Sequence, residues 1–280
     1  MVRFAVKTSP QDTTWDAILA VWREADDIGV FESGWVSDHF YPMHGLAPGA
    51  GRLEGWVTLA ALAQATRRLR LGTLVTGIHY RHPAVLANMA ATLDVISGGR
   101  LELGIGTGWN QEESGAYGIE LGTPRQRSDR FEEACQVLTG LLSPQETTTF
   151  TGRYYQLVEA RCDPKPVQQP HPPVCIGGSG RQRTLRTAAR FAQHWNFDGG
   201  SPRQFSQARD VLHEHCAAIG RDPASILLSA QVRHTGDPAQ TAAAAADFAA
   251  AGAGLAIIYL PPPHSPAVLG PLASALSRVP

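Results

Sequence analysis

The chain has 280 residues, of which 43% are hydrophobic and 18% charged, with a formal net charge of -1. That balance excludes a disordered chain and argues against electrostatic capture of nucleic acid, which leaves a small molecule as the expected partner. Cys135, Cys162, Cys175 and Cys216 lie in separate segments with no CxxC pair and no close Cys/His spacing, which points to a reduced cytoplasmic protein with no metal site.

The amino terminus enters apolar alternation directly at Phe4 and Val6, without the apolar run of a leader. Trp15, Ile18, Leu19, Trp22 and Ala25 then recur at helical spacing behind a Thr13-x-x-Asp16 start, making one strand-then-helix unit. Further units follow: strand 34–37 with helix 55–67, strand 70–76 with helix 83–97 (opened by Pro83, closed by Gly98-Gly99), and strand 100–106 with helix 125–142. Strand 173–177 precedes a helix over 180–192, and His194-Trp195-Asn196-Phe197 precedes a helix opened by Ser201-Pro202. Ile226 to Val232 leads into a helix opened by Asp237-Pro238, and Leu255 to Leu260 into a last helix from Ser265.

Eight such units match a (β/α)8 TIM barrel, which typically takes about 250 residues, better than an open doubly wound sheet. The chain therefore reads as one barrel domain over 1–280, with a non-barrel insertion at 143–172 before the fifth barrel strand, a candidate lid. The insertion carries a hairpin candidate at Phe150-Thr151-Gly152-Arg153-Tyr154-Tyr155. The alanine-rich tract Thr241 to Gly254 is too short to cross a bilayer, where about 20 apolar residues are needed, so no membrane partner is expected.

Active sites of such barrels form at the carboxyl ends of the strands. After the second strand stand Asp38 and His39, a carboxylate able to bind the edge of a heterocycle and an imidazole that titrates near neutrality; the alternative for His39 is a cap on the following segment. After the third, Thr73-Leu74-Val75-Thr76 lies between Gly72 and Gly77, where a flat ring can approach or where the glycines serve barrel curvature. His82 reads as the cap of the Pro83 helix.

After the fourth, Gly104-Ile105-Gly106-Thr107-Gly108-Trp109 pairs bare backbone with an aromatic ring, but its glycine spacing departs from the dinucleotide fingerprint. After the fifth, Gly177, Gly178 and Ser179 open a helix and offer amides to a phosphate, with a plain Ser179 helix cap as the alternative. Glu112 and Glu113 read as the acidic first turn of a short helix. Lys7 ends the first strand, where it can face the site as a cation or a Schiff-base lysine, but no acidic or hydrophobic pattern supports that role; the final loops lack a Lys/Arg cluster, which favours a neutral or apolar substrate over a sugar phosphate.

In order, Trp35-Val36-Ser37-Asp38-His39-Phe40, Tyr80-Arg81-His82-Pro83-Ala84, Ser97 through Trp109, Pro164-Lys165-Pro166-Val167-Gln168 and Ile176-Gly177-Gly178-Ser179-Gly180 resemble the bacterial luciferase-like flavin and deazaflavin oxidoreductases, most closely their coenzyme F420-dependent branch. The resemblance implies hydride transfer between F420 and a small organic substrate, with reduction as the direction. It implies a cofactor phosphate on Gly177, Gly178 and Ser179, a non-proline cis peptide near Leu74-Val75 behind the ring, and a ring bordered by Asp38, His39, Thr73, Thr76, Gly108 and Trp109. His39 is the implied catalytic residue. Trp109 stands where some members carry a catalytic carboxylate, so the proton donor becomes His39 or Glu113. An FMN-dependent monooxygenase or reductase and a non-catalytic cofactor-binding barrel are the alternatives, and the family habit is a homodimer.

Overall fold

The computed structural model describes residues 2–43 and 51–280. The first half runs β1 (Arg3–Thr8), α1 (Trp15–Asp27), β2 (Phe31–Val36), α2 (Gly55–Ala65), β3 (Arg70–Thr73), β4 (Thr76–Gly77), α3 (Pro83–Ser97), β5 (Leu101–Gly106), α4 (Gln111–Ala116) and α5 (Pro124–Leu142). A hairpin of β6 (Thr148–Thr151) and β7 (Gln156–Ala160) follows. The second half runs β8 (Val174–Gly177), α6 (Thr184–Phe191), β9 (His194–Phe197), α7 (Pro202–Ala218), β10 (Leu227–Arg233), α8 (Pro238–Ala250), β11 (Leu255–Leu260) and α9 (Leu269–Leu276).

Eight parallel strands close on themselves in the order β1, β2, β3/β4, β5, β8, β9, β10, β11, and β11 pairs back onto β1. This is a TIM barrel. The third barrel strand is interrupted between β3 and β4, where the Leu74-Val75 peptide is cis. Bare neighbours make room for that interruption: a Cβ on Gly104 would run into the Thr73 carbonyl oxygen, and one on Gly106 would lie 2.7 Å from Val75 Cγ2.

The helices begin where local chemistry satisfies their free amides. Thr123 with Gln126 and Ser201 with Gln204 form capping boxes on α5 and α7. His82 caps α3 by accepting from the Ala84 amide, with Pro83 in the first turn, and Gly98 ends the helix in the left-handed conformation. The core has two parts, a small one inside the barrel (Ala5, Trp35, Leu74, Cys175, Leu255, Ile257) and a larger one between strands and helices. Among the described residues no helix is long and apolar enough to cross a membrane.

Two local expectations change. The helix after β8 starts at Thr184 rather than near 180, with Arg183 at its N-cap, so Ser179 does not cap it. The hairpin in the insertion forms, but it packs on α5 rather than over the barrel mouth. The Glu133 carboxylate holds it there by accepting from the Arg153, Tyr154 and Tyr155 amides, and Tyr155 and Leu157 enter the outer core.

Candidate active site

A cavity of about 750 Å³ opens at the carboxyl end of the barrel, within the size range of small-molecule and cofactor sites. One wall is nearly free of side chains, being built from Gly106, Gly108, Gly177 and Gly178, with Leu74 and Val75 beside it and Trp109 and His39 at its edge. Trp109 meets the His39 ring edge-on, with centroids 5.6 Å apart.

His39 is almost fully buried on the loop after β2. Its Nδ1 lies 2.7 Å from Glu113 Oε2 and 3.0 Å from the Tyr80 hydroxyl. Glu113, on α4 and also fully buried, accepts from the Phe40 and Tyr41 amides and the Tyr80 hydroxyl as well. Burial pushes the Glu113 carboxyl up, but these four donors outweigh it and hold it below the ordinary carboxylate range. Burial lowers His39 below its ordinary value, although Glu113 opposes this, so His39 is neutral at pH 7. A carboxylate at Nδ1 makes that nitrogen the N–H donor and leaves the Nε2 lone pair as the proton acceptor.

The sequence reading put Glu113 in the first turn of a short helix, which is where it lies. Its junction with His39 had no local signal, because 74 positions separate the partners. The other site residues divide clearly. Leu74, Val75, Gly108, Trp109, Gly177 and Gly178 line the cavity with His39, whereas Asp38, Thr73, Thr76 and Ser179 do not.

Asp38 has no exposed surface, and both its oxygens take Arg81, at 2.6 and 3.1 Å, so it anchors the loop after β2 instead of offering a carboxylate to a heterocycle. Thr73 and Thr76 are tied up behind the wall. The Trp56 indole N–H donates to Thr76, the Thr76 hydroxyl to Thr73, and the Thr73 hydroxyl to the Gly104 carbonyl, each at 2.9 Å. Ser179 is exposed beside the mouth, and the Gly178 amide donates to the Asn196 carbonyl, so it is not available to a phosphate.

Lys7, considered from the sequence but given no role, lines the cavity, and sequence reasoning missed Gln11, Tyr80, Asp198, Gln231 and Arg233 on its wall and Arg52 behind it. Arg52 ties the β1 and β2 loops together by donating to the His39 carbonyl at 2.8 Å, the Ser37 hydroxyl at 2.6 Å and Gln11 Oε1 at 2.6 Å. No lining residue comes from 143–172.

The model of the family described as luciferase-like monooxygenase matches residues 1–272. The chain belongs to that family. Among relatives of this luciferase-like chain, the F420-dependent hydroxymycolic acid dehydrogenase of Mycobacterium tuberculosis is 31% identical over 83% of this chain and 62% of that protein. The F420-dependent glucose-6-phosphate dehydrogenase of Microbacterium testaceum is 32% identical over 84% of this chain and 69% of that protein. An uncharacterised protein of M. tuberculosis is 33% identical over 66% and 64% of the two chains. The chain thus spans 62–69% of the length of these curated relatives.

Of solved structures, an F420-dependent secondary alcohol dehydrogenase superposes with a TM-score of 0.87 at 20% identity, covering 100% of this chain and 98% of that one. The coenzyme F420-dependent tetrahydromethanopterin reductase of Methanopyrus kandleri gives 0.81 at 18% identity, covering 98% and 97%. At that identity the likeness is one of fold.

Proposed function

We propose that this luciferase-like barrel is an oxidoreductase that transfers a hydride between coenzyme F420 and a small organic substrate, acting as a reductase of a carbonyl group. The observation that carries the reading is the buried His39–Glu113 pair at the edge of a flat, glycine-walled cavity backed by Val75. The named relatives agree with that chemistry.

The residues fit a planar ring and an anionic tail. The wall of Gly106, Gly108 and Gly177 leaves a tricyclic face nothing to clash with, and although the Leu185 amide of α6 donates to the Gly180 carbonyl, the helix has no side-chain cap, so its positive end and the Thr184 hydroxyl beside the cavity fit a phosphate. When bound, the deazaflavin supplies the hydride. His39 handles the proton at the substrate oxygen: in reduction its neutral ring first takes up a solvent proton at Nε2 and passes it to the carbonyl oxygen, and in the reverse direction the Nε2 lone pair accepts the proton of the alcohol. Glu113 fixes the ring tautomer and stabilises the imidazolium, Tyr80 holds Glu113 in place, and Trp109 bounds the site without a proton to give.

The four cysteines are unpaired and buried, which supports a cytoplasmic location, and exposed Val57, Val85 and Ile96 on α2 and α3 support a homodimer through those helices. Equilibrium binding followed by tryptophan fluorescence tests the cofactor, because Trp109 borders the cavity and is 56% exposed. Saturable quenching by F420 at concentrations where FMN gives none is the expected result. Preference for FMN would overturn the deazaflavin assignment, and binding of neither would overturn the enzymatic reading.

A further inference from the structure

Directly across the barrel from the Leu74-Val75 wall lies β10, with β11 and β1 beside it. Register aligns three inward positions there, since Lys7 and Arg233 both pair with Tyr259. Neighbouring strands are about 4.8 Å apart and side chains in register share a face, so a Lys and an Arg flank one phenol in a row across the far wall. The side chains keep that arrangement: Lys7 Nζ is 5.7 Å and Arg233 Cζ 5.2 Å from the centre of the Tyr259 ring, and all three line the cavity.

Neither cation is committed to an acid. Lys7 gives one hydrogen bond, to Gln231 Oε1 at 2.8 Å, and has two N–H groups left. Among the described residues neither Lys7 nor Arg233 forms an ion pair, in contrast to Arg81, which is held by Asp38 and Glu54. Asp198 lines the same cavity, so the three charges sum to one positive, matched to a monoanion rather than a dianion. Burial brings the Lys7 amine down to about 8 with Asp198 opposing, so it is mostly protonated at pH 7.

We propose that Lys7, Tyr259 and Arg233 form the subsite for a carboxylate on the substrate, making the substrate class a carbonyl or alcohol compound that carries one carboxylate. This rests on the deazaflavin reading, which gives the opposite wall to the cofactor ring. It replaces the expectation of a neutral substrate, which held only while the cations were sought as a cluster along the chain; Lys7 and Arg233 are brought together by barrel closure. The guanidinium fork grips a carboxylate in its plane and the ammonium neutralises it, while the substrate's reacting carbon extends towards the glycine wall.

The test uses matched probes, a series of phenyl-substituted monocarboxylates from benzoate to 4-phenylbutanoate and the corresponding carboxamides, titrated calorimetrically into the protein with and without oxidised F420. The expected result is that at least one acid binds tenfold or more tightly than its amide. Arg233→Gln and Lys7→Gln should each remove that preference, while Arg233→Lys and Lys7→Arg retain most of it. Equal affinity of acids and amides across the series, or binding of neither, overturns the subsite. So does a loss of F420 affinity in Arg233→Gln with the acid preference intact, which would give these cations to the cofactor tail. If F420 does not bind but acids still outbind amides, the cofactor reading fails and the subsite stands; the converse pattern refutes the subsite alone.

Discussion

The substitution Glu113→Gln separates positioning of His39 from the space Glu113 fills. Glu113 Oε1 accepts from two backbone amides, so a glutamine keeps its carbonyl oxygen there and presents its NH2 group to His39 Nδ1 and Tyr80. An amide nitrogen only donates, which forces Nδ1 to accept and moves the ring proton to Nε2. Nε2 then has no lone pair to take up the proton it must deliver to a carbonyl, and the imidazolium that delivers it would set Nδ1–H against the amide NH2 group. A positioned acid–base group contributes about 10²–10⁴ in rate, so kcat/KM should fall by that factor, or about 3–5 kcal/mol of transition-state stabilisation.

Replacing two charge-assisted hydrogen bonds should also cost about 2 kcal/mol of stability, small enough to leave the variant folded. Removing the carboxylate takes away what holds the His39 pKa up against burial, so it should fall further below the ordinary value. Long-range ¹H–¹⁵N spectra of the histidine rings report tautomer and titration directly, beside turnover of reduced F420 with a responsive ketone. The reasoning is refuted if wild-type His39 already carries its neutral proton on Nε2. It is equally refuted if the variant's tautomer flips while turnover stays within threefold.

Two predictions concern stability. His79 is lowered to about 4, chiefly by burial, and its Nδ1 has no hydrogen-bond partner. The unfolded state therefore binds the proton first, so the stabilising contribution is full above about pH 6.5 and is lost as pH falls towards 4; linkage gives about 3 kcal/mol, and about half of that after solvent screening. Urea midpoints at pH 7 and pH 5 should diverge in the wild type and much less in His79→Asn; an identical slope in both would remove His79 as the cause. Gly104→Ala drives a Cβ into the Thr73 carbonyl oxygen, a backbone atom with little freedom to move, so it should cost about 3 kcal/mol or more and abolish ligand quenching; a variant as stable as wild type would mean the third barrel strand is more compliant than its packing indicates.

Barrel architecture was legible because it is written in local, repeated patterns. Pro83, Ser201-Pro202 and Asp237-Pro238 opened helices where the first-turn chemistry demanded, and short apolar runs such as His194–Phe197 and Leu255–Leu260 supplied the strands between them. The glycine wall was legible for a related reason. Gly104 and Gly106 are required by a clash with Thr73 and Val75, and a small residue at each such place survives as a visible motif.

The chemistry was less legible because its partners are distant in the chain. Asp38 beside His39 looked like a pair of ligand contacts, yet adjacent residues on an extended segment point opposite ways, and Asp38 turned outward to Arg81 while His39 turned to the cavity. Glu113, 74 residues from His39, supplied the carboxylate that adjacency had suggested for Asp38. The same geometry explains Lys7 and Arg233. Closing the barrel sets β1 against β11, whose other neighbour is β10, so Lys7 and Arg233 flank Tyr259 on one wall, and that grouping lies in strand register, which no window along the sequence contains.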